Sequence, residues 1–352
     1  MLLNRLRIPI VQAPLAGGAS TPRLTEAVLK AGGFGFLAAG YRTPVDVAAD
    51  ISMLRELTDA AFGLNIFVPD TEVRPAALAS YLAEIAGEAG RHGVSLGEPH
   101  YDDDSFAAKV ELAIAERVPV ISFTFGCPAA ALVRRLHEAG SEVWVTVTEP
   151  GEAQDAAQAG ADAVIAQGVE AGGHRGGFTD GDDRQDYGLL VLLQLLTEQV
   201  DLPLVATGGI STGAAVAAVL CAGAAAAQLG TAFLRCPESG TSSLHRAALA
   251  EPGRTRITRA FTGRSARGIE NRFLLEHSAS APMAYPQIHH VTAPLRAAGR
   301  AAGDRDVLNL WAGQGHRLAA ELPAAELVAA LGRDIATALD AAGRRAGGLT
   351  GR

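Results

Sequence analysis

The chain has 352 residues, a net charge of −8, 48% hydrophobic and 19% charged residues. That length can bury a substantial core, and the composition excludes general disorder. The acidic balance argues against nucleic-acid and membrane-surface partners, but it names no substrate.

In chain order, short apolar runs alternate with stretches of helical spacing. A first strand is predicted at 8–13 (IPIVQA), a helix at 21–31, a strand at 35–39 (GFLAA), a helix at 44–58 and a strand at 61–68 (AFGLNIFV). A long excursion over 70–105 then breaks the rhythm, and its YDDDS segment (101–105) reads as a solvated loop. The alternation resumes with a helix at 106–116, a strand at 119–125 (PVISFTF), a helix at 128–139 and a strand at 142–148 (EVWVTVT). A helix at 151–159 and a strand at 162–167 (DAVIAQ) follow, then a glycine-rich loop. A helix at 189–200, a strand at 203–207 (PLVAT), a helix at 212–221 and a strand at 224–230 (AAAAQLG) complete the series. The arginine-rich stretch 237–303 loses the rhythm and reads as an inserted smaller subdomain or lid, and 324–346 reads as a surface helix returning to the barrel.

The eight runs are almost continuously apolar, as strands covered on both faces must be. Eight strand–helix repeats predict an α/β fold of the TIM (β/α)8 class, with an open doubly wound sheet as the alternative. The first strand lacks the GxGxxG turn of a dinucleotide fold; Gly32-Gly33-Phe34-Gly35 precedes a strand and reads as a helix stop. The expected organisation is a cofactor-binding barrel over 1–236, an inserted substrate-covering subdomain over 237–303 and a helical C-terminal segment over 304–352.

Active sites of such barrels lie at the C-terminal strand ends. The first strand ends in Ala13-Pro14-Leu15. After the seventh and eighth strands, Gly208-Gly209 and Gly230-Thr231 offer backbone N–H groups without Cβ obstruction. Either pair alone is an ordinary turn; together they predict a phosphate-bearing ligand. Asn65 and Gln167 stand in otherwise apolar strands, where an unpaired amide is costly. A planar heteroaromatic with imide edges, such as a flavin, would satisfy them; Asn65 equally fits a satisfied core amide. The sixth strand runs into AQGVEAGGHRGGF (166–178), which surrounds His174 with glycines. A neutral imidazole there suits a general base. Glu170 and Arg175 flank it, Arg175 as an anion ligand or a surface ion pair.

Cys127, Cys221 and Cys236 form no CxxC pair and no cluster with histidine, so buried thiols of a reducing compartment are expected. His289-His290 has no carboxylate or cysteine at ligand spacing, and no metal is expected. MLLNRLRIPIVQAP lacks a secretory pattern and no apolar run has membrane-spanning length without glycine or charge, so a cytoplasmic location is expected.

These residues resemble a known family. QAPLAGG (12–18), NIFVP (65–69), SFTFGCP (122–128) and QGVEAGGHRG (167–176) are similar to the four motifs of class I nitronate monooxygenases, formerly 2-nitropropane dioxygenases. ATGGI (206–210), QLGTAFL (228–234) and FTGRSARGIENRF (261–273) fit the same family. The resemblance implies a TIM barrel carrying FMN under an inserted smaller domain. It implies cofactor contacts at Ala13, Pro14, Leu15, Asn65, Gln167, Gly172, Gly173, Gly208, Gly209, Gln228, Leu229, Gly230 and Thr231, with His174 as catalytic base. Leu15 replaces the methionine usual in the first motif, an apolar exchange of similar size. The implied activity is oxidation of alkyl nitronates, propionate 3-nitronate among them, or of nitroalkanes, with O2, to carbonyl compounds and nitrite, by a monomer or homodimer. The alternatives are an FMN-dependent enoyl reductase or NAD(P)H:quinone reductase of a related barrel, and a non-catalytic phosphate-ligand-binding barrel.

Overall fold

The computed structural model describes residues 1–70, 77–183 and 185–347. Residues 71–76 of the first excursion and 348–352 of the C-terminal segment lie outside the described residues. Each apolar run contains a strand: β1 (Ile10–Gln12), β2 (Phe34–Ala38), β3 (Gly63–Phe67), β4 (Val120–Thr124), β5 (Glu142–Val147) and β6 (Ala163–Gln167). After a two-residue strand, β7 (Gly173–His174), come β8 (Leu204–Thr207) and β9 (Ala226–Leu229). The eight longer strands pair in parallel and close in the order β1-β2-β3-β4-β5-β6-β8-β9, with Gln228 of β9 opposite Val11 of β1. This is the TIM barrel expected from the alternation.

Helices cover the outside: α1 (Pro22–Ala31), α2 (Pro44–Leu57), α4 (Phe106–Ala115), α5 (Ala130–Glu138), α6 (Pro150–Ala159), α7 (Leu189–Gln199) and α8 (Gly213–Cys221). Their starts are chemically marked. Thr21 accepts from Leu24 N with Pro22 in the first turn, Thr43 and Asp46 form a reciprocal capping box, and Thr212 accepts from Ala215 N. The C-terminal α12 (Ala324–Ala346) buries Leu327, Val328, Leu331 and Ile335 in the barrel core and packs on α1 and α8. Among the described residues, no helix is long and apolar enough to cross a membrane. Cys236 is buried as expected, but Cys127 is half-buried and Cys221 is exposed at the end of α8.

The two excursions share a core. The first contains a helix that the sequence reading left out, α3 (Ala77–Arg91); the second contains α9 (Ser243–Ala250), β10 (Thr255–Thr258), β11 (Ala266–Ile269), α10 (Arg272–His277) and α11 (Gln287–Ala302). Tyr81 and Ile85 of α3 pack with Phe261, Phe273, Ile288, Val291 and Leu295 in a cluster separate from that of the barrel. YDDDS is not simply a solvated loop. Asp104 receives Tyr41 N and pairs at 2.8 Å with Lys109, whose side chain is wholly buried. β10, β11 and β7 form an antiparallel sheet, with Ala266 opposite His174. Because β7 follows β6 within a few residues, this sheet stands at the C-terminal mouth of the barrel.

A buried ion network ties α3 to α10. Glu88 receives both terminal nitrogens of Arg272 at 2.7 Å and faces His277 Nε2 at 3.3 Å. Arg272 pulls its carboxyl down to about 2, from an ordinary 4.5. A carboxylate whose folded value lies below the unfolded one stabilises the fold above the unfolded value, and that stability is lost as pH falls through the folded one. The stability of the native chain should therefore fall by at most about 3 kcal/mol between pH ~5 and ~2 on this account, read from thermal unfolding. Glu88→Gln should be less stable at pH 7 and flatter across that window; parallel curves would remove Glu88 as the source.

Candidate active site

The C-terminal strand ends meet in one place. Ala13, Pro14 and Leu15 leave β1, and Gly208 and Gly209 leave β8. Gly230 and Thr231 leave β9 against Leu15, whose Cδ2 would lie 3.3 Å from a Cβ on Gly230. Gly208 adopts φ +117°, and a Cβ there would stand 3.1 Å from Gly168 O and 3.2 Å from Ala171 N, so the two glycine turns nest. Leu229 differs from its neighbours: its side chain belongs to the barrel core, and its carbonyl receives Ala13 N at 2.9 Å.

The strand amides hold different partners. Asn65 Nδ2 donates to Ser122 O, Ser122 Oγ and Thr124 Oγ1 at 3.2, 2.9 and 3.0 Å. Gln167 is the organiser of the glycine-rich loop. Its Nε2 donates to His174 O, while its Oε1 receives Arg175 Nη1 and Gly176 N at 3.1 and 2.9 Å. Arg175 is buried and also donates to Gly168 O at 2.8 Å, and its Nε pairs with the exposed Asp186 carboxylate at 3.4 Å, so it is an interior strut of the loop whose ion pair reaches the surface. Gln228 is the contrast. It is buried in β9, and its Oε1 has no hydrogen-bond partner among the described residues.

His174 is not on a floppy turn. Its backbone is paired to β11, and its Nε2 lies 2.9 Å from Thr262 Oγ1. Phe125, Tyr285 and Trp311 stand edge-on to the imidazole at centroid distances of 5.7, 5.9 and 5.6 Å. Burial first, then the positive field of Arg264, brings its pKa down to about 3, so the ring is neutral near pH 7. Arg264 is itself buried, with its guanidinium carbon 4.2 Å above the Phe125 ring. Arg296 is also buried and donates to Thr292 Oγ1 and His289 O at 3.1 and 2.9 Å. Beside these groups a cleft of about 300 Å³ is lined by Tyr41, Phe67, Tyr285 and His289. His289 stacks on Tyr41, with ring centroids 4.2 Å apart.

Several of these residues were not singled out from sequence. Thr262, Phe125, Tyr285 and Trp311 reach the imidazole from four separate segments, a convergence that spacing cannot display. Phe125 has a left-handed backbone at φ +76°, a strained conformation that its residue type does not announce and that only the fold reveals. The return segment 311–315 was missed too: Gly313 N donates to Thr231 Oγ1 at 3.0 Å and Gln314 N to Glu170 O at 3.0 Å. Gly172 makes room for it, since a Cβ there would lie 2.4 Å from Gly313 N. Its glycine-rich WAGQG sequence was the available clue. His290 does have a carboxylate partner, Asp102 at 2.5 Å, with His100 stacked on its ring; chain separation hid that grouping.

Fold and site together define an α/β-barrel enzyme whose glycine-lined cradle adjoins a neutral, enclosed histidine. The nitronate monooxygenase family matches residues 2–334, and the chain belongs to that family. It is 40% identical to a nitronate monooxygenase of Pseudomonas aeruginosa over 333 residues, covering 92% of this chain and 95% of that protein. Among solved structures, it is similar to a nitroalkane oxidase from Streptomyces ansochromogenes with TM-score 0.94 and 52% identity, covering 97% of this chain and 99% of that one. It is also similar to FabK from Thermotoga maritima, with TM-score 0.71, 27% identity and 96% of both chains covered.

Proposed function

We propose that this enzyme oxidises alkyl nitronates, propionate 3-nitronate among them, and neutral nitroalkanes, with FMN as cofactor and O2 as oxidant, releasing a carbonyl compound and nitrite. The observation that carries this reading is the neutral His174 imidazole enclosed beside the glycine cradle, in a member of this family.

The residues present fit FMN. Gly208, Gly209, Gly230 and Thr231 would offer backbone N–H groups to a phosphate, Gly173 has open space at its Cβ position that would let the loop come close, and Gly172 would contribute through its backbone. The orphaned Gln228 Oε1 is a buried acceptor that an imide N–H would satisfy. Ala13, Pro14, Leu15, Asn65, Gln167 and the Leu229 backbone complete the proposed contacts. When bound, FMN supplies the redox chemistry, and the chain supplies position, charge and water exclusion.

His174 takes the α-proton of a neutral nitroalkane. An anionic nitronate needs no such step. Arg264 and Arg296 both act on the imidazole as positive charges, and the same field favours the anion that proton loss creates. An anion held beside the ring in turn raises its proton affinity towards the working range. Phe125, Tyr285 and Trp311 wall the half-buried ring and limit its contact with water. We also read residues 237–303 as the cover of the substrate.

The likeness to FabK favours one second reading, a flavin-dependent reductase fed by NAD(P)H. The purified protein should show flavin absorbance and consume O2 with propionate 3-nitronate, without rapid anaerobic bleaching by NADH or NADPH. Rapid bleaching without nitronate-driven O2 uptake would replace the oxidation reading by the reductase. A colourless protein would leave a phosphate-ligand-binding barrel.

A further inference from the structure

We propose that Nδ1 is the base nitrogen of His174 and that Thr262 is the positioning residue that keeps it so, by holding the ring in its Nε2–H form. The inference rests on the reading of His174 as base.

The hydroxyl of Thr262 has one proton and two neighbours that want it. Arg264 O lies 3.2 Å away and His174 Nε2 lies 2.9 Å away. A carbonyl oxygen can only accept, and among the described residues Arg264 O receives no other side-chain or loop hydrogen bond. An imidazole nitrogen can serve in either role. The arrangement that satisfies all three groups sends the hydroxyl proton to Arg264 O and the Nε2 proton to Thr262 Oγ1. Nδ1 then carries the lone pair, and the ring's one side-chain hydrogen bond among the described residues is the one at Nε2. The opposite tautomer would leave Arg264 O, in a residue only 1% exposed, without that donor.

The geometry is fixed from both sides. Thr262 is buried, and Gly263 beside it adopts φ +83° with its Cβ position filled by Ala284 O. His174 is held by its backbone pairing to β11. Once Nδ1 has taken a proton, the imidazolium keeps the same Nε2–H bond, so the chain to Arg264 O also stabilises the product of the transfer. The charged groups acting on the ring are Arg264 and Arg296, which disfavour its protonation, and Asp180, which favours it.

The test uses the purified holoenzyme labelled with 15N-histidine, with His174 assigned by its loss in His174→Asn. The wild-type ring should show Nδ1 at an unprotonated imidazole shift and Nε2 at a protonated one near pH 7. Thr262→Val should mix or reverse the two shifts, and Thr262→Ser should restore them. Nitroethane turnover should fall about 100-fold in Thr262→Val, the lower end of what a positioned base contributes. It should recover in Thr262→Ser, while ethyl nitronate turnover stays within about threefold. An Nδ1–H ring in the wild type overturns the proposal, as do unchanged shifts in Thr262→Val. The nitrogen shifts need no substrate, so they report on Thr262 even if the enzyme proves inactive on nitro compounds, which would instead refute the functional reading.

Discussion

His174→Asn should cut turnover of neutral nitroalkanes by orders of magnitude and largely spare nitronates. The nitroalkane must lose an α-proton, and His174 is a neutral ring at the mouth of the barrel that follows the glycine-rich loop directly and faces an aromatic wall. Positioned bases contribute about 10²–10⁴ in rate, so kcat/KM for nitroethane should drop by that factor. The same substitution removes no step from a substrate that is already deprotonated, and ethyl nitronate should change by no more than about threefold. Asparagine keeps the backbone pairing of β7 to β11, which does not involve the side chain. A comparable loss on both substrates would refute the base assignment. The pH profile gives a second check. Burial and Arg264 hold the imidazole neutral, at a value of about 3, so kcat/KM for the nitroalkane should have its acid limb well below the 6.5 of an ordinary histidine.

Gly172→Ala should lower both thermal stability and cofactor retention. The added methyl carbon would lie 2.4 Å from Gly313 N and 2.5 Å from Ala312 C. Both are backbone atoms, so no rotamer change relieves the overlap, and segment 311–315 has to lift. That movement strains the Gly313 N to Thr231 Oγ1 and Gln314 N to Glu170 O bonds, each 3.0 Å long. Overpacking of this kind costs about 1–3 kcal/mol, and each lost hydrogen bond about 1 kcal/mol more. Because the same segment borders the cradle, absorbance of bound flavin per protein should fall in the purified variant. Gly87→Ala is the control: it lies in α3 with nothing within 4 Å of its Cβ position, and should be neutral or slightly stabilising. If Gly172→Ala matched that control, the fit of the return segment would not be what requires glycine there.

The barrel was legible because its signal is local and repeated. Each of the eight runs carries enough apolar residues to mark a strand buried on both faces, and the helices between them announce themselves with Thr21, Thr43 and Thr212 caps. The glycine turns were legible for the same reason: Gly208 needs its positive φ whatever surrounds it. The excursions were harder. Helix α3 and helices α10 and α11 bury their apolar faces in one another, so neither stretch has a complete core when read alone.

Residue chemistry along the chain thus determined the fold class, the family resemblance and the placing of His174 beside a glycine cradle. Tertiary structure alone decided what that histidine is. A two-residue strand has no periodicity to read, yet its pairing with Ala266 turns a loop histidine into a fixed one. Its neutrality comes from burial under Phe125, Tyr285 and Trp311 and from Arg264, whose sequence positions span almost two hundred residues. Desolvation and Coulomb energy depend on distance through space, and no spacing along the chain encodes that distance until the barrel has closed.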